Sequence, residues 1–326
     1  MTKYIFKALA CAFIFASLAA CSSDIAGNND ANELKTEATS LKNGFIFNVE
    51  LADYNSTPTT RNGVNVVPAV QTTKVRLSNG LVAKLTLTPD SSAQSAAAAT
   101  RYVPDDTYTM EAFGGSSHKF KGSISGRIVN NQFIPDNGKE DIILPHGQYH
   151  FLLYNNKVVK QDSIHKIAIE NADGALFAFA TPDLKITPNR QKLIFHLKRK
   201  GVRVKMKLSG AAAYSGATAK LRNANNVGLP DSIKHILTGD KWSTASRKPY
   251  SKDLTFGNVS RDAKTNKYVS YATEYAYFLY TTNAQDLMIV FTGGTYNGQS
   301  MIGAALPFNN LEFDVNGSYI LNVELE

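Results

Sequence analysis

The stretch Lys192-Leu193-Ile194-Phe195-His196-Leu197-Lys198-Arg199-Lys200-Gly201-Val202-Arg203-Val204-Lys205-Met206-Lys207-Leu208 decides how this chain folds. Leu193, Phe195 and Leu197 recur at every second position and share one face of an extended strand. Val202, Val204, Met206 and Leu208 do the same, but one step out of phase. The slip falls between Lys198 and Gly201, so a bulge or bend is expected near Gly201. Arg203, Lys205 and Lys207 alternate with the second apolar set. They are expected to face outward, on a solvated edge that discourages pairing with another sheet.

The same period of two runs through the rest of the chain beyond residue 43. Phe45, Phe47, Val49 and Leu51 share a face of a first strand at 44–51. Leu81, Ala83, Leu85 and Leu87 alternate with Val82, Lys84, Thr86 and Thr88 after a Ser78-Asn79-Gly80 turn that follows a strand at 74–77. Further strands are expected at 107–113, 117–120, 124–129, 142–144, 148–154, 164–169 and 175–179. A second set runs through 217–221, 267–280, 287–291, 300–305 and 319–325, with Asn297-Gly298 as a hairpin turn. Tyrosine (15) and phenylalanine (17) are abundant, and helical periodicity is confined to 231–237 and to the neighbourhood of 31–41. The Ala-rich loop at 89–100 is too short to hold a helix alone. The class is all-β, and short strands with frequent turns point to β-sandwiches. Pro182 and Pro188 bracket a mid-chain junction, which divides the strands into domains at 44–185 and 186–326.

The N-terminus carries an address. Lys3 and Lys7 precede an apolar run from Ala8 to Ala20, and the run is too short to span a bilayer. Leu18-Ala19-Ala20-Cys21 resembles a bacterial lipobox. That resemblance implies a signal peptide at 1–20, cleavage between Ala20 and Cys21, and lipid on the Cys21 sulfur. The alternatives are an ordinary signal peptide or a short anchor. Residues 21–43 then form a polar spacer. Of the two cysteines, Cys11 leaves with the signal, so no thiol remains for a disulfide. Net charge falls from +8 to +6 once Lys3 and Lys7 go. Export excludes nucleic acid as a partner, and the charge supports a weak attraction to anionic surfaces.

One internal echo suggests two related domains. Leu144-Pro145-His146-Gly147-Gln148-Tyr149 and Asp314-Val315-Asn316-Gly317-Ser318-Tyr319 each place a glycine two residues before a tyrosine that opens a strand. With the lipobox, the 45–51 strand followed by Thr60-Arg61, and Lys192 to Arg199, these motifs in this order resemble the fimbrillin-like lipoprotein pilins of Bacteroides-type bacteria. The resemblance implies two tandem transthyretin-like β-sandwich domains and a fimbrial role in adhesion. It also implies an outer-membrane location reached through the lipid, a host or bacterial surface ligand, and other fimbrial subunits as partners. In stalk subunits of that family an arginine-specific protease removes the first strand, and a donor strand from a neighbouring subunit fills the groove. Arg61 is the expected cleavage position, being the first arginine after the lipid and lying in a polar loop; Arg101 is the second choice. The alternative for Arg61 is a surface arginine without a special role. The chain stops at Glu326, just past the closing strand, which departs from the stalk pattern and favours a tip, anchor or accessory subunit.

No enzymatic constellation stands out. There is no Gly-x-Ser-x-Gly elbow, His-Glu-x-x-His or P-loop. His146 and His150 lie about 13 Å apart in extended chain at ~3.3 Å per residue, too far to share a metal without a sharp bend. Asp105-Asp106 and Glu140-Asp141 are neighbours whose side chains diverge on a strand. Neither a cofactor nor a metal is expected. The second reading is a surface glycan-binding lipoprotein, with Tyr271, Tyr275 and Tyr277 on one strand face and Trp242 in a polar loop as stacking aromatics; the competing reading of the tyrosines is cross-strand packing.

Overall fold

Alternation of apolar and polar side chains produces strands nearly everywhere in the computed structural model, which describes residues 38–56, 70–77, 79–93, 103–115, 118–136, 138, 141–180, 183–184 and 190–326. The all-β class holds. An eight-stranded sheet runs Leu176–Ala180, Gln191–Arg199, Phe45–Leu51, Gln132–Pro135, Phe120–Val129, Tyr108–Gly114, Gly147–Asn155 and Asp183–Leu184. Leu176–Ala180 pairs with Gln191–Arg199 on one side and with Gly147–Asn155 on the other, so the sheet closes on itself. Phe45, Phe47, Val49, Met110, Phe151, Phe195 and Leu197 fill the enclosed core.

A second core lies between two further sheets. One carries Tyr268–Tyr271, Gly201–Gly210, Ser318–Leu325, Val82–Pro89 and Gln71–Arg76; the other is built on Tyr214–Asn223 and Leu287–Tyr296. Leu85, Leu87, Val204, Met206, Leu221, Ile289, Phe291 and Leu321 pack between them, a sandwich arrangement of inward-facing alternate residues. A four-stranded sheet pairs Ile164–Ala168 with Leu229–Ile236 and covers a third cluster around Phe177, Ile233 and Trp242.

The phase slip marks a change of sheet. Leu193 and Phe195 point into the closed sheet, Val202 and Val204 into the sandwich, and the chain crosses between them at Lys200-Gly201. A Cβ on Gly201 would lie 2.0 Å from the Ala172 carbonyl oxygen. Gly201→Ala is therefore expected to cost about 1–3 kcal/mol by forcing backbone to move, read as a lowered midpoint in denaturant.

Sheet partners are drawn from both sides of the expected junction. Val82–Pro89 joins Ser318–Leu325, and Gln191–Arg199 joins Phe45–Leu51 in parallel. Several local expectations change. Residues 231–236 are strand, not helical turn, because Leu229–Ile236 pairs with both Ile164–Ala168 and Lys241–Lys248, and Leu237 begins the turn into Lys241–Lys248. The end of the polar spacer is folded: Ala38–Ser40 pairs with Ile143–Pro145, and Leu41 is fully buried. The expected strand at 267–280 is two strands, Tyr268–Tyr271 and Ala276–Leu279, both on Gly201–Gly210.

The Asn297-Gly298 hairpin forms, with both residues at positive φ. Asn130-Asn131 makes a second such turn before Gln132–Pro135, a strand missing from the sequence reading. The echoed tyrosines share a physical role. The Tyr149 hydroxyl donates to the Pro145 carbonyl at 2.6 Å, and the Tyr319 hydroxyl donates to the Asp314 carboxylate at 3.0 Å. Each ring thus ties its strand back to the turn before it.

Candidate functional site

The first strand is the best-placed candidate. Phe45, Phe47 and Val49 point into the closed core, with Phe45 and Phe47 stacked at 5.5 Å and Phe47 6.3 Å from both Phe195 and Phe133. Gln191–Arg199 runs parallel to it over seven residue pairs. On the other flank the contact is lighter: Asn48 registers with Gln132, and the Val49 amide donates to the Asn131 carbonyl at 2.8 Å. Ahead of the strand, Ser40 caps the Leu41–Gly44 turn, bonds the Asp141 carboxylate, and leaves Asp141 to accept the Lys42 amide at 3.1 Å. Burial of Phe45, Phe47 and Val49 contributes about 4.5–9 kcal/mol at ~1.5–3 kcal/mol per side chain.

The chain leaving this strand is pinned to the second core. The Tyr54 ring lies between Arg199 and Arg203, whose guanidinium carbons sit 4.3 and 4.1 Å from its centroid, and its hydroxyl donates to Asp173. Burial pushes the Tyr54 hydroxyl well above its ordinary pKa, with Arg199 opposing. The Asn55 side chain bridges both backbone groups of Ser318 at 2.8 Å. Arg203 also faces Tyr275 at 4.4 Å and donates to the Ser318 hydroxyl at 2.9 Å. Asp90 accepts from Tyr275 at 2.6 Å and from Ser92; burial would raise its pKa, but these hydrogen bonds hold the carboxyl below the ordinary range. The solvated edge expected for Arg203, Lys205 and Lys207 is thus corrected. Their strand is interior, with Ser318–Leu325 on one side and Tyr268–Tyr271 and Ala276–Leu279 on the other.

The expected stacking aromatics divide. Tyr275 and Tyr277 are partly covered, 6.4 Å apart, and engaged with Arg203. Tyr271 is 45% exposed, with the Lys207 ammonium over its ring at 5.6 Å. Trp242 is not in a polar loop; it lies on Lys241–Lys248 and is buried against Phe177 and His235.

The structure brings His118, not His146, to His150: the rings stack at 4.7 Å, and burial first, then His118, lowers the His150 pKa. Among the described residues no group of histidine, cysteine and carboxylates is arranged to hold a metal.

Sequence reasoning missed a buried network. Glu111 is 1% exposed and accepts from Lys160 at 2.6 Å and Tyr154 at 3.0 Å, with His165 Nε2 at 2.8 Å. Burial works to raise its pKa, but the bonds and charges of His165 and Lys160 outweigh burial and hold it below the ordinary range. Ala20, Cys21, Arg61 and Arg101 lie outside the described residues.

A family model described as a domain of unknown function, DUF7850, matches residues 21–187. No curated protein matches the chain. Similar solved structures include a candidate cell adhesion protein from Bacteroides uniformis, 13% identical over 69% of this chain and 91% of that one, TM-score 0.43. A candidate cell adhesion protein from Bacteroides fragilis is 11% identical over 86% and 92%, TM-score 0.41. A candidate polysaccharide-binding protein from Bacteroides thetaiotaomicron is 9% identical over 86% and 90%, TM-score 0.38.

Proposed function

The chain belongs to the DUF7850 family of domains of unknown function, and from that premise we propose that it is a non-enzymatic fimbrial subunit for surface adhesion, lipid-anchored at the outer membrane through Cys21 and joined to other subunits by strand complementation. The observation that carries this reading is the place of Phe45–Leu51 inside a closed sheet, with a strand on each flank. Arg61 follows that strand by ten residues in sequence. A cut there leaves the strand held only by noncovalent contacts, on the same fragment as the lipid. Its departure exposes the unpaired backbone of Gln191–Arg199 and the trench beside Phe133 and Phe195, which a strand from another subunit repairs. Adhesion to a host or bacterial surface ligand then follows from display on the assembled fibre.

The test is incubation of the folded protein with an arginine-specific protease, followed by N-terminal sequencing and by immunogold labelling of cells. A new N-terminus at Asn62, with label along or at the end of fibres, is the expected result. An intact Arg61 bond in fibre-associated protein sinks strand removal at this position. Label confined to the cell body over lipidated Cys21 marks a fixed anchor instead.

A further inference from the structure

The outer face of the sheet that carries Gly201–Gly210 presents a second surface, independent of pilus assembly. Its inward residues, Val204, Met206, Leu85, Leu87, Leu321 and Val323, belong to the sandwich core. Alternation therefore turns Lys205 and Lys207, then Asn322, then Lys84 and Thr86, to the other side on three adjacent strands. The register sets Lys207 beside Asn322 and Asn322 beside Thr86, while Tyr271 flanks Lys207 from the opposite side. All of these are at least partly exposed. From a strand spacing of ~4.8 Å, the two lysine rows are separated by about 10 Å.

The charge on this face is incompletely answered from within. Lys74 and Lys84 are direct cross-strand partners, a like-charge pairing that costs stability. Lys74 turns to Glu326 at 3.1 Å, and Glu324 is taken by Lys267. Among the described residues no carboxylate lies within ion-pair distance of Lys84, Lys205 or Lys207. Lys205 and Lys207 reach only the rings of Tyr275 and Tyr271, at 5.2 and 5.6 Å, and Asp262 acts on Lys207 from a distance. The Tyr275–Asp90 bond lies at one end of the face and the Lys267–Glu324 bridge at the other.

We propose that this face binds an acidic polysaccharide, a linear chain whose carboxylates or sulfates meet Lys84, Lys205 and Lys207 while a sugar ring stacks on Tyr271. Charge complementarity selects an anion, since Glu324, which stands opposite Lys84, is bonded by Lys267, and the polar Thr86 and Asn322 between the lysine rows suit a hydroxyl-bearing chain. A lipid surface fits less well, because the outward positions of those three strands carry only Val82 and Ile320 as large apolar residues, and these stand at opposite ends of the face.

Retention of the full chain on immobilised polygalacturonate, heparin and dextran, and cosedimentation with phosphatidylglycerol vesicles, test this. Retention on polygalacturonate, on heparin or on both, released by salt and absent on dextran, is the expected result; the pair of acidic matrices tells carboxylate from sulfate. Lys205→Glu with Lys207→Glu should weaken binding about tenfold or more, and Lys205→Gln with Lys207→Gln should weaken it less while leaving the sheet free of new charge. Lys119→Glu with Lys121→Glu makes the same change in net charge on exposed residues elsewhere and should leave binding intact. Equal retention on dextran, equal loss in the two Glu doubles, or binding to vesicles alone overturns the proposal.

Discussion

Replacing Phe47 with alanine is expected to lower the unfolding free energy by about 3–5 kcal/mol, the range for a buried phenylalanine lost from a core. Phe47 is 4% exposed and sits where three strands meet, against Phe195 on one neighbour and Phe133 on the other. Truncation leaves a hole that neither ring fills without moving its strand. Phe47→Leu should recover more than half of the loss, since a smaller change in volume is better tolerated. Circular dichroism during denaturation measures the effect, with Trp242, the single tryptophan, as a second probe in a separate cluster. A chain of this size need not unfold in one step. Coincident midpoints mean that the first strand supports the whole fold. A shift seen by circular dichroism but not by Trp242, which packs against Phe177 on the outer face of the same sheet, means that the first strand loosens while Leu176–Ala180 stays in place, which is the behaviour the proposed strand exchange requires. A loss below ~1 kcal/mol contradicts the packing described for this strand.

The strands were legible because their alternation is local, while their partners were not. Leu81 to Thr88 and Leu193 to Leu208 announce their buried faces directly, and the slip at Gly201 announces a break. Nothing in Lys192 to Arg199, however, says that its neighbour is Phe45–Leu51, about 150 residues earlier and parallel to it. Ile233, Ile236 and Leu237 have helical spacing, yet only Ile233 is buried, because sheet pairing on both flanks overrides the local pattern. Trp242 stands among Lys241, Ser243 and Thr244 and so reads as loop, although on a strand its neighbours turn outward while it turns in. Arg203 looked solvated for the same reason: the residues that cover it, Tyr54 and Tyr275, come from remote segments. The lipid and protease positions remain readings of sequence and of family resemblance.

Glu111 shows the limit most sharply, since Met110-Glu111-Ala112 reads as a strand with one solvated carboxylate, whereas a second layer bearing His165 lies over it. Glu111→Ala is expected to destabilise by about 3–5 kcal/mol near neutral pH, because it strands the groups that the carboxylate satisfied. The sign of the pH dependence follows from the depressed folded pKa. The contribution is present above the unfolded value, about 4.5, and fades as pH falls through the lower folded value. Wild-type and Glu111→Ala midpoints in urea should therefore converge as pH drops from 7 toward 3, with the other carboxylates common to both chains. A gap that stays constant over that range would show that the loss comes from packing and not from charge. In a His165→Ala background the Glu111→Ala penalty should shrink by about 0.5–3 kcal/mol, the coupling typical of residues in one network. Such coupling would place the tie between the closed sheet and the Ile164–Ala168 layer in this carboxylate. That layer pairs onward to Leu229–Ile236, so the same measurement asks how firmly the closed sheet is held to the rest of the molecule.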